Sequence, residues 1–153
     1  MGNHPTTAAA SLLQALHARF EANNAEYNVI EAARPADHDL AERGKIDRAT
    51  SANEYEADAL RFAILTQVPD SHPDALVLMF HIRLEQDAQA HSAVPPSNRE
   101  KSILATAIDT LFDFHACESE SDDFDYGKLG KQLRTACRDV YDARRYRTGV
   151  VEG

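Results

Sequence analysis

His17 and Glu21 stand four residues apart in LHARFE, and His81 and Glu85 repeat that spacing in FHIRLE. The second pair closes LVLMFHIRLE, residues 76–85, the most apolar run in the chain. On a helix, positions i and i+4 share a face, so each pair aims an imidazole and a carboxylate the same way. His115 falls on the apolar stripe of a third segment, in line with Ile108 and Leu111. Imidazole and carboxylate together bind zinc, iron or manganese. His17, His81, Glu85 and His115 are therefore the candidate ligands of a helical-bundle metal-binding protein or metalloenzyme. The competing reading is structural: His81 is a boundary histidine hydrogen-bonded to Glu85, and no cofactor is needed. The Glu-x-x-His signature of di-iron bundles and HExxH are both missing.

Other chemistries find less support. No GxSxG, P-loop or GxGxxG occurs. A phosphorelay histidine followed by x-x-Lys-Gly is not matched, since Ile-Arg-Leu-Glu follows His81. In the acidic stretch, Ser121, Asp123 and Asp125 occupy alternating positions of a calcium-loop register. Tyr126 then stands where glycine is required and Gln132 where glutamate is. Cys117 and Cys137 form neither a CxxC nor a zinc pattern. Two such thiols suit a reducing cytoplasm. No catalytic residue can be named, and an enzyme is the less favoured class.

These residues need elements to hold them. The 153 residues fit one helical domain, 1–153, with 43% hydrophobic and 27% charged residues. Three [ST]-x-x-[DE] capping-box matches stand before apolar runs: Ser51 with Glu54, Ser71 with Asp74, and Ser97 with Glu100. Pro35, Pro69 and Pro95-Pro96 fall where helices should stop. The pattern predicts helices over about 6–34, 52–68, 72–93, 98–118 and 125–147. A polar connection over 35–51 holds a short helix, Asp37 to Arg43, closed by Gly44. The third helix carries the stripe Val77, Phe80, Leu84 and Ala88, the fourth Leu104, Ile108, Leu111 and Phe112. No sustained strand alternation is found. The expected fold is all-α: a four-helix bundle-like core with a fifth, C-terminal, amphipathic basic helix packed on it. The repeated His-x-Arg-x-Glu pattern raises the idea of a duplicated hairpin.

Charge separates the body from the tail. Residues 1–127 hold 9 Lys+Arg and 22 Asp+Glu, whereas residues 128–153 hold 7 and 3. The net charge of −9 disfavours nucleic acid and anionic membranes. No apolar run approaches the ~18 residues of a membrane span. The N-terminus lacks the basic region of a secretory signal. Met1-Gly2 with Thr6 fits the short myristoylation pattern, but no polybasic cluster follows to support one acyl chain.

The expected role is protein–protein interaction or assembly, as a cytoplasmic homodimer. Leu78, Met79 and Ile82, outside the main stripe of the third helix, are the apolar contact candidates. Arg134, Arg138 and Arg145, on the basic side of the fifth helix, are the charged ones, suited to an acidic protein partner. A small-molecule-binding regulator is the remaining alternative.

Overall fold

The computed structural model describes residues 10–35 and 39–120, together with 132, 135 and 136. Four helices appear in it: α1 (Leu12–Ala32), α2 (Leu40–Leu65), α3 (His72–His91) and α4 (Asn98–Glu120). No strand occurs among the described residues, and the all-α expectation holds at that level. The fifth helix, 125–147, lies outside the described residues except for Gln132, Thr135 and Ala136, which are helical and exposed.

Side-chain caps set most helix starts. Ser11 Oγ accepts the Gln14 amide at 3.1 Å and opens α1. Ser71 Oγ accepts the Asp74 amide at 3.3 Å and opens α3, with Pro73 in its first turn. Asp74 reaches back past the cap, its Oδ2 accepting the Asp70 amide at 3.2 Å. Ser97 and Glu100 form a full reciprocal box at α4: the Glu100 amide donates to Ser97 Oγ at 3.2 Å and the Ser97 amide to Glu100 Oε2 at 2.7 Å. Each box satisfies amides that the first helical turn leaves without partners.

The start of α2 differs from expectation. Asp39 Oδ1 accepts the amides of Ala41 and Glu42 at 3.0 and 3.2 Å. The helix then runs through Gly44 and Ser51 without a break. A glycine in a helix costs only about 1 kcal/mol, and a second nucleation event costs more than continuing. The stretch holds strong helix formers and a Lys45–Glu42 pair at 3.0 Å, and it buries Ile46. The Ser51–Glu54 match therefore lies inside a helix, and the predicted polar connection is its first half.

The chain divides into two compact units, Met1–Ile64 and Leu65–Gly153. In the first, Arg19 meets Glu56, Asn23 meets Asn53, Glu31 meets Thr50 and Arg34 meets Asp47. One number rises as the other falls, so α1 and α2 are antiparallel. In the second, His72 at the start of α3 meets Glu118 near the end of α4 at 3.0 Å, and these helices are antiparallel too. Their core is Leu65, Ala75, Leu78, Ile82, Ala107 and Leu111, with Ile103, Leu104, Ile108 and Phe114 packed against it.

Candidate interaction face

The α3 helix buries a different face from the one its sequence suggests. Asp74, Ala75, Leu78, His81, Ile82 and Glu85 are interior. Leu76, Met79, Phe80 and Leu84 stay 64%, 42%, 46% and 38% exposed, and Ala88 is exposed as well. The first half of α3 is apolar almost all round, so hydrophobicity alone does not select a face. The buried side carries Ala75, and Ala107 of α4 stands in the same cluster. Small residues let two helices approach closely, where dispersion contacts are densest.

Leu78 and Ile82 therefore leave the expected contact surface, because both are inside the α3–α4 core. Met79 is exposed, beside Leu76, Phe80 and Leu84. These four recur at i, i+3, i+4 and i+8, a continuous stripe along one helix side. Arg83 and Asp87 are the exposed charged residues that share this side. One cation and one carboxylate leave the stripe locally neutral on an acidic chain. On α4, Leu111 is buried as the periodicity implies, whereas Phe112 is 46% exposed.

Each histidine has its own local surroundings. His17 Nε2 lies 3.5 Å from Glu21 Oε1, a local pair on α1. His81 is not a boundary residue but wholly interior. Its ring meets Phe80 edge-on, with centroids 5.2 Å apart. Glu85 is interior too, and its Oε1 accepts a 2.8 Å bond from Gln89 Nε2. His115 is half-buried, edge-on to Phe114 at 5.5 Å. Among the described residues no three His, Cys, Asp or Glu side chains form a group that could hold a metal ion. His17 lies in the first compact unit, and His81, Glu85 and His115 in the second.

The two copies of the His-x-Arg-x-Glu pattern differ in burial. In α3 the repeat turns His81 and Glu85 inward, whereas in α1 Glu21 is exposed and Arg19 is a polar latch. The sequence pattern gave little warning of that latch. Arg19 Nε donates to Glu56 Oε1 at 2.6 Å and its Nη1 to Glu26 Oε1 at 2.8 Å. Beside it, Asn23 Nδ2 donates to the Asn53 carbonyl at 3.2 Å, and Asn53 Nδ2 to the Asn23 carbonyl at 2.9 Å. Arg34 bonds Glu31 and Asp47 at 2.7 Å each, and Thr50 Oγ1 donates to Glu31 Oε1 at 3.0 Å. Hydrogen bonds from Arg19 hold the Glu56 carboxyl below its ordinary value, and Asn23 adds to this. Arg34, then Thr50, do the same for Glu31. The only sequence signal for these latches was two asparagines inside helical segments, where polar residues need a reason to be buried.

Arg134, Arg138 and Arg145 lie outside the described residues, as does the acidic calcium-like stretch from Ser121 to Asp125. Among the described residues no helix is long and apolar enough to cross a membrane. No protein family, curated protein or solved structure matches this chain.

Proposed function

We propose that this chain is an assembly protein that associates with a second copy through the exposed side of α3. The observation that carries this reading is the stripe of Leu76, Met79, Phe80 and Leu84. Contiguous exposed apolar area on one helix side is the usual mark of a contact surface. Local neutrality from Arg83 and Asp87 lets two copies, each of net charge −9, bring this stripe together with little charge conflict. A two-fold contact needs a patch that complements itself, and an apolar helix side meets that need. The basic side of the C-terminal segment, Arg134, Arg138 and Arg145, remains the surface offered to an acidic protein. The two thiols fit a reducing cytoplasm.

The test is mass by light scattering over a range of concentrations. Met79→Asp with Phe80→Asp is expected to shift the chain toward monomer while leaving helix content unchanged, since both side chains are exposed. A double variant whose mass follows the parent at every concentration removes α3 from the contact.

A further inference from the structure

The α4 helix ends at a particular place relative to the exposed stripe. It runs back along α3, and Glu118 close to its end touches His72 at the start of α3. Phe114 and His72 rings meet there as well, at 6.0 Å. The chain therefore leaves α4 beside the first turn of α3, one turn from Leu76. After Glu120 come a short acidic stretch, SDDFD (121–125), and then a second apolar stripe: Tyr126, Leu129, Leu133, Cys137 and Val140.

Two features match this stripe to α3. Leu129, Leu133 and Cys137 recur every four residues, as do Leu76, Phe80 and Leu84. The connection is also selective in direction. Five residues reach at most roughly 18 Å. That spans the ~8–10 Å between neighbouring helix axes, but not the ~30 Å length of a 20-residue helix. The segment can start at the Leu76 end of α3 and run parallel to it, and it cannot start at the far end. In that register Leu129 lies near Leu76, Leu133 near Phe80 and Cys137 near Leu84. None of the exposed residues Gln132, Thr135 and Ala136 belongs to the stripe. Gly127 and Gly130 lower the intrinsic helix preference of this stretch of sequence.

We infer that residues 126–140 dock along the exposed side of α3 in their own chain, covering Leu76, Phe80 and Leu84 and competing there with a second copy. The inference rests on the assembly reading for the competition, and on the chain path alone for the docking. Lys128, Lys131, Arg134 and Arg138, opposite the segment's stripe, then face outward.

The native thiol of Cys137 provides the test. In the full chain, Cys117→Ser leaves Cys137 as the sole native cysteine, and Leu84→Cys places a thiol at its expected neighbour. Val94→Cys, exposed beyond the end of α3, is the control. Each variant is treated with oxidised glutathione at several dilutions, and the links are mapped by mass spectrometry. The expected result is a disulfide between positions 84 and 137 within one chain, in a yield independent of concentration, with Val94→Cys giving little. Leu129→Asp with Leu133→Asp is expected to abolish the link. Added to the parent chain, this double substitution should tighten self-association about a hundredfold if the docked form holds nine-tenths of the molecules, since both copies must be undocked to pair. Equal yields at 84 and 94 overturn the docking. Links found only between chains overturn it as well, and give the stripe to a second copy. An intact intramolecular link in a chain that is monomeric at every concentration keeps the docking and removes the assembly reading.

Discussion

Asn23 and Asn53 show what a single polar residue does in this molecule. Each side-chain amide donates to the other residue's backbone carbonyl, which pins α1 and α2 in one register. Both are buried, and their amide nitrogens are tolerated there because they are bonded. Asn53→Ala removes one bond, strips the Asn23 carbonyl of that donor and leaves a small void. The expected loss is about 1–3 kcal/mol, read as a lower denaturant midpoint with an unchanged slope. A loss below a few tenths of a kcal/mol would mean that water replaces the bond and that the asparagine pair is not a latch. The residue scale is also where the sequence was least legible. His17–Glu21 and His81–Glu85 have the same spacing, yet one pair is local and half-exposed and the other interior. Spacing fixes which side of its own helix a side chain takes. It does not fix what that side meets.

At the scale of elements the helices were mostly legible. Serine caps and prolines act within one turn of where they stand, so Ser71, Ser97, Pro35 and Pro95 could be read directly. The Ser51 match misled because capping chemistry works only where the chain has already left the helix, and continuing through Gly44 cost less than stopping. The inward side of α3 was not legible, because Leu76-Phe80-Leu84 and Ala75-Leu78-Ile82 are both good apolar stripes. Only the small residues of α4 decide between them. The α1–α2 hairpin makes its own prediction. Glu31 and Glu56 titrate below the ordinary carboxylate value in the folded chain. Their contribution is complete above the unfolded value, about 4.5, and is lost as pH falls through the lower folded values. Thermal melts followed by circular dichroism between pH 6 and pH 3 should show the midpoint falling with acid. Glu56→Gln, which cannot titrate, should flatten part of that fall. An identical acid profile in the variant would assign the acid sensitivity to other carboxylates.

At the scale of the whole molecule, charge and apolar surface oppose each other. Two copies of net charge −9 repel at long range, while the contact proposed for the α3 stripe acts only at short range. Salt screens the first term, with a Debye length of about 30 Å at 0.01 M and about 8 Å at 0.15 M. Self-association through an apolar, locally neutral stripe should therefore strengthen as sodium chloride rises over that range. Light scattering at fixed protein concentration reads this. Weakening with salt would instead point to a contact built on the basic tail and an acidic partner surface.

The polar latches of α1 and α2 carry a consequence for heat capacity. Unfolding raises heat capacity through exposed apolar area and lowers it through exposed polar area. The α3–α4 unit opens a leucine-, isoleucine- and alanine-lined interior, the α1–α2 unit a seam with asparagine and carboxylate-guanidinium pairs along it. The second releases less apolar surface, so its stability curve bends less with temperature. Cooling weakens apolar burial, and this falls mainly on α3–α4. The half of the molecule that carries the exposed stripe is then the half more sensitive to cold.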